Sequence, residues 1–196
     1  MKVLALILLL MLIPLTSAST YTLGSHQVSF NVSEPYNSSA KLDPPTYVAD
    51  SNTWWYTLNM TNDSEHYLRV SVLELSYADY SRAWPSINFG ESAKQYIKDR
   101  GIGGYKSSTM DFKGYPAYQY SHPEQKIVND IGFIRILENL GTVYQIDERT
   151  VVQVFAVGVT VQYQEILDTI EVIDAPTKPT KYAPYISSNA GNSTSE

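Results

Sequence analysis

Residues 54–75 read WWYTLNMTNDSEHYLRVSVLEL. Two alternating runs flank a polar break. Trp54, Tyr56, Leu58 and Met60 fall on one face of the first run, and Trp55, Thr57, Asn59 and Thr61 on the other, because successive strand side chains point to opposite sides. Asn62-Asp63 supplies turn chemistry. Leu68, Val70 and Val72 then face inward on the return. The stretch predicts a β-hairpin with one buried face, and so a chain organised around antiparallel sheet.

Working towards the N-terminus, His26, Val28, Phe30 and Val32 alternate with Gln27, Ser29, Asn31 and Ser33, which predicts another strand. Pro44-Pro45 places a long loop between the two strands. Towards the C-terminus, Ala93, Tyr96, Ile97 and Arg100 have helical spacing over 91–100, and Gly101 ends the run. Gly101-Ile102-Gly103-Gly104 reads as a linker. Residues 105–112 and 115–122 predict two strands joined at Lys113-Gly114. A strand over 131–138, a turn at Asn139-Leu140-Gly141 and a strand over 142–147 follow. Residues 150–159 are apolar on both faces, the pattern of a central strand covered twice. Tyr163, Ile166, Leu167 and Ile170 mark a closing helix by their i, i+3, i+4, i+7 spacing.

The ends differ from this core. Lys2 precedes an apolar run over 3–15, and Thr16-Ser17-Ala18 closes it with small residues. That is the layout of a secretory signal peptide over 1–18, too short for a relaxed membrane span. From Asp174 onward proline and small polar residues dominate, so 175–196 reads as a flexible tail after a globular domain over 19–174.

Composition narrows the function classes. The chain has 196 residues, 14 Lys plus Arg against 20 Asp plus Glu, a net charge of −6 and no cysteine. The acidic balance argues against a nucleic-acid partner. The lack of cysteine removes disulfides, thiolate metal ligands and cysteine nucleophiles. Asn31, Asn37, Asn59, Asn62 and Asn192 each begin an Asn-X-Ser/Thr sequon, which suits an N-glycosylated surface protein. Export without cysteine points to a prokaryotic cell envelope.

Leu23-Gly24-Ser25, the pair of strands over 53–75, the hairpin Met110-Asp111-Phe112-Lys113-Gly114-Tyr115-Pro116-Ala117 and the ending Glu165-Ile166-Leu167-Asp168-Thr169-Ile170 occur in an order that resembles the PsbP/Mog1-like family. The likeness extends over 21–174 and, with the sequons, points to an exported, archaeal-type prokaryotic branch. It implies an α+β fold, an antiparallel sheet with helices packed on its faces as an α/β/α sandwich. Its members share no active site, so it transfers no functional residue.

Chemistry-bearing motifs are sparse. His26, His66 and His122 form no metal-binding pair, and His66 and His122 read as lone surface histidines. Asp147-Glu148 reads as turn charge, without calcium-loop spacing. No Gly-X-Ser-X-Gly elbow is present. Neither a metal nor any other cofactor is expected, and no catalytic residue is assigned. The positive signal is aromatic: 16 tyrosines and 3 tryptophans. Trp55 lies on the polar face of its strand and Trp84 in a loop, so these two are the candidate anchors for a partner.

The reading is a non-catalytic, exported envelope protein that binds another envelope protein or a surface glycan. The alternatives are an enzyme or enzyme accessory of unrecognised type, and a spacer of the cell surface layer. Membrane contact is expected only through an uncleaved signal. N-terminal sequencing of the native protein is expected to begin at Ser19; a membrane-bound protein retaining Met1 would contradict the cleavage.

Overall fold

The computed structural model describes residues 18–49, 52–76, 106–129 and 132–176. The hairpin expected over 54–75 is present. Strands β5 (Thr53–Thr61) and β6 (Tyr67–Leu75) pair antiparallel, with Tyr56 opposite Val72 and Leu58 opposite Val70. Strand β12 (Thr150–Val157) lies on the far side of β6. Next come β11 (Asn139–Asp147), β8 (Tyr115–His122) and the edge strand β7 (Lys106–Phe112). On the other edge, the short strands β3 (Lys41–Leu42) and β4 (Thr46–Val48) both pair with β5. Pro44 and Pro45 divide them, because proline cannot donate to the ladder. A separate hairpin joins β9 (Gln125–Asn129) and β10 (Gly132–Ile136).

A second, three-stranded sheet packs over the first. It consists of β1 (Ser19–Leu23), β2 (His26–Phe30) and β13 (Glu171–Asp174), in the order β1-β2-β13. Helix α1 (Thr160–Thr169) contacts both β12 and β2 and so fills the space beside this sheet. Its Tyr163 hydroxyl and the Thr142 hydroxyl lie 2.6 Å apart, tying it to β11. Burial raises the Tyr163 phenol above its ordinary pKa. Val28 and Phe30 from β2, Leu58, Met60, Val70, Val72, Val152, Val154 and Ile166 form one continuous core between the layers.

This arrangement corrects the expected fold class. The α+β sandwich with helices on the sheet faces is replaced by a mostly antiparallel β protein, with thirteen strands and one helix among the described residues. The physical reason lies at the two ends of the domain. Residues 171–174 pair with β2 instead of ending the fold, and the resulting sheet takes up the face that helices were expected to cover. The helix expected over 91–100 lies outside the described residues.

Some local expectations hold and one does not. Lys113 and Gly114 take positive φ values of 54° and 86° between β7 and β8, as a two-residue primed turn requires. Strand β12 is central, paired on both sides. The turn expected at 139–141 is instead the start of β11. Gly141 lies beneath the Tyr120 ring: an added Cβ would come within 2.1 Å of Tyr120 Cζ. Here glycine seats an aromatic ring and makes no turn.

Ile166 is fully buried while Gln164 is exposed on the opposite side of α1. Ile166→Ala is therefore expected to lower stability by about 2–5 kcal/mol, and Gln164→Ala by less than about 0.5 kcal/mol, in denaturant titration. Equal losses would contradict the helix packing.

Candidate functional site

The alternation of β6 ends on a charge. After Leu68, Val70 and Val72, the next inward position is Glu74, which is only 4% exposed. A carboxylate there needs donors, and the tip of the β1–β2 hairpin supplies them. Glu74 Oε1 accepts from the Ser25 backbone N–H at 2.7 Å, the Ser25 hydroxyl at 2.8 Å and His26 Nδ1 at 2.9 Å. Glu74 Oε2 is buried without a hydrogen-bond partner, so all three bonds converge on one oxygen. Gly24 makes the approach possible. Its φ is +65°, and an added Cβ would meet Glu74 Oε1 at 2.5 Å and the Tyr56 ring at 2.7 Å.

His26 therefore bridges the two sheets. It is 5% exposed and in phase with Val28 and Phe30 on β2, as its alternation requires. Its Nδ1 meets Glu74, while its Nε2 lies 3.7 Å from Asp174 Oδ1 on β13. The ring lines a cleft of about 350 Å3 together with Ser25, Asp147, Glu148, Arg149, Thr150 and Asp174. Arg149 Nη2 donates to the Leu75 and Ser76 carbonyl oxygens at 3.1 and 2.7 Å, and the Arg149 backbone N–H donates to Asp147 Oδ1 at 2.7 Å. These bonds fix the β11–β12 turn beside the end of β6.

The cluster does not have the geometry of a nucleophilic triad. There, the serine hydroxyl meets one ring nitrogen and the carboxylate the other. Here Ser25 Oγ and Glu74 both lie on the Nδ1 side, and the hydroxyl donates to the carboxylate. Among the described residues no group of three or more His, Asp or Glu side chains is placed to hold a metal ion.

The second face of the main sheet has a different character. Tyr67 and Phe155 have ring centroids 5.8 Å apart, Phe155 and Tyr120 6.3 Å, and Tyr120 and Tyr118 5.9 Å, forming a line of rings across β6, β12 and β8. Arg69 lies over Tyr67 at 5.7 Å, within cation–π range. Trp55 is on this face, half-buried, and donates from Nε1 to Thr53 Oγ1 at 3.1 Å. Trp54, on the core face, is also only half-buried, with its ring 5.2 Å from that of Tyr47. Trp84 and Asn192 lie outside the described residues.

The remaining sequons differ in access. Asn62 is exposed in the β5–β6 turn. Asn59 Nδ2, the atom a glycan would occupy, donates to Asp43 Oδ2, and Asn59 Oδ1 accepts from Arg69 Nε at 2.9 Å. Asn37 Oδ1 accepts from the Ser19 hydroxyl at 2.6 Å, and the Asn31 side-chain oxygen is buried.

Two histidine expectations change. His122 is fully buried, in phase with Tyr118 and Tyr120 on β8, and not at the surface. His66 is half-buried, with Nδ1 2.9 Å from Asp63 Oδ2. Backbone N–H donors from His66 and Glu65 hold the Asp63 carboxyl below its ordinary pKa. The Glu74 cluster itself was missed. Its signal was available: His26 and Glu74 each occupy the inward phase of an otherwise apolar strand face.

No protein-family model and no curated protein matches this sequence. Among solved structures, the chain is similar to the solution structure of cyanobacterial PsbP (CyanoP) from Synechocystis sp. PCC 6803. The similarity covers 82% of this chain and 95% of that chain, at 12% identity and a TM-score of 0.46.

Removing Glu74 strands three buried donors from two residues of the hairpin. Glu74→Ala is expected to cost about 3–5 kcal/mol, as for breaking a buried pair. Glu74→Gln keeps an acceptor but buries an unpaired N–H, and is expected to cost about 1–3 kcal/mol. Urea titration gives the ranking; a glutamine variant less stable than the alanine variant would contradict the assignment.

Proposed function

We propose that this chain is a PsbP/Mog1-like accessory module of a prokaryotic cell envelope, exported by its N-terminal segment and not itself catalytic. It binds another envelope protein or a surface glycan through the second face of the main sheet. Trp55 is its anchor on that face, and Trp84, outside the described residues, is the second anchor. The observation that carries this reading is the inequality of the two faces. One is closed by α1 and the three-stranded sheet into an apolar core. The other carries a line of rings in which Tyr118 and Tyr120 are buried while Tyr67 and Phe155, like Trp55, are half-buried and leave ring area at the surface. Aromatic side chains of this kind offer apolar area with a polar edge, the combination enriched at binding hot spots.

The Ser25 hydroxyl supports the non-catalytic part of the reading, since it donates to Glu74 and shares the Nδ1 side of the His26 ring with that carboxylate, where a nucleophile and its orienting carboxylate would take opposite ring nitrogens. Access to the second face also depends on the sequons. Glycosylation of Asn59 would compete with its bonds to Asp43 and Arg69, whereas Asn62 carries a glycan at the turn without crowding Trp55.

Affinity capture from the native envelope tests the reading. Trp55→Ala and Trp84→Ala are each expected to weaken capture about 30-fold, the hot-spot scale of roughly 2 kcal/mol, with the fold retained by circular dichroism. Trp54→Ala is expected to reduce stability and leave capture by the folded fraction intact. Capture indifferent to both anchor substitutions would overturn the aromatic-face reading.

A further inference from the structure

We propose that the C-terminal segment 180–183 folds back along β13 as a further strand of the second sheet and seats the Tyr182 ring in the pocket between β13 and the main sheet, independently of the aromatic face. β13 is the outer strand in the order β1-β2-β13. The Ala175 N–H donates to the Ser25 carbonyl oxygen at 2.8 Å, and Asp174 opposes His26. Bonded and non-bonded positions alternate along an antiparallel ladder. Glu171, Ile173 and Ala175 therefore direct their backbone groups at β2, and Val172 directs its N–H and C=O away from it. Among the described residues nothing pairs with Val172 on that side. An open edge of this kind recruits a further strand.

The pocket lies along this edge. Its walls are Lys113, Tyr115, Tyr144 and Ile146 on the main-sheet side and Val172 and Ile173 on β13, and its volume is about 240 Å3. That is below the roughly 300–1,000 Å3 of small-ligand sites and suits one aromatic side chain. Lys113 Nζ is already committed, donating to the Asp168 and Ile170 carbonyl oxygens at 3.2 and 2.8 Å. Tyr144 is 3% exposed, and its hydroxyl has no hydrogen-bond partner among the described residues. Burial raises its pKa, so the phenol stays a neutral donor. A buried phenol that lines a pocket with nothing to donate to marks a place for an incoming acceptor, which the Tyr182 hydroxyl supplies.

Sequence and charge select the occupant. Residues 177–196, outside the described residues, start where β13 ends. Pro176 and Pro179 suit a reversal of direction, and Pro184 ends the run, so Thr180-Lys181-Tyr182-Ala183 is the first stretch free to pair. Tyr182 opposite Val172 is the register that keeps the prolines out of the ladder. It places Tyr182 on the face of β13 that Val172 presents to the core, beside the pocket. Lys181 then falls opposite Ile173 and diagonal to Glu171, within reach of that exposed carboxylate. Residues 175–183 hold two lysines and no acid, whereas β13 carries the exposed acids Glu171 and Asp174, so the two segments are complementary in charge. A connection this short holds the segment at an effective concentration on the order of mM, which favours the chain's own tail over that of a second copy.

Amide hydrogen exchange in the full-length protein tests the pairing. The Val172 N–H is expected to exchange more slowly there, by about tenfold or more, than in a chain ending at Pro176. Tyr182→Ser in the full-length chain is expected to speed exchange at Val172 in the same direction, and it keeps the test open if the shortened chain fails to fold. The Ile173 N–H, which faces β2, is expected to keep its rate in both variants. Protection at Val172 is expected to be independent of protein concentration. Protection that rises with concentration would assign the edge to a second copy. A change at Ile173 equal to that at Val172 would trace the effect to loss of β13 itself. Either result, or equal Val172 exchange in the full-length and Tyr182→Ser chains, would overturn the proposal.

Discussion

The carboxylate of Glu74 is the contact on which the arrangement of the two sheets turns. It stands at the end of an otherwise apolar row on β6 and takes three hydrogen bonds from two adjacent residues of the β1–β2 hairpin. An ion-pairable group at that depth is costly unless its donors are in place. The hairpin must therefore dock with its tip over Glu74, and Gly24 lets its backbone come close enough. Once β2 is positioned, β13 pairs along it and α1 is confined between β2 and β12. The apolar core supplies the bulk of the driving force, but apolar contacts slide. A hydrogen-bonded carboxylate fixes one relative position of the layers.

The same contact separates two chemical regions. On the cleft side of His26 the surface is acidic and polar; across the main sheet the second face is a run of rings. Glycine serves both regions by having no side chain, since Gly24 admits the Glu74 carboxylate and Gly141 admits the Tyr120 ring. Neither position tolerates a Cβ without displacing a neighbour.

Strands with local partners were legible in the sequence. The pairs β5–β6 and β7–β8 announce themselves by period-two alternation around short turns, and α1 by the spacing of Tyr163, Ile166, Leu167 and Ile170. What was not legible depends on distant partners. Glu171-Val172-Ile173-Asp174 is too short to declare a strand, and becomes one only because β2 offers an edge nearly 150 positions away in the chain. Its pairing is what turns an expected helical layer into a second sheet. β3 and β4 are similarly short and are defined by β5. The site was half legible. His26 and Glu74 each break an apolar face at the inward phase, and two such breaks in one domain suggest each other, but nothing local states that they meet.

A double-mutant cycle between His26 and Glu74 tests this account most directly. If the pair locks the sheets, unfolding free energies of His26→Ala, Glu74→Ala and the double variant should show a coupling of about 1–3 kcal/mol, with the double variant far less damaged than the sum of the singles. Additivity within about 0.5 kcal/mol would mean that the two residues act independently and that the layers are held by apolar packing alone.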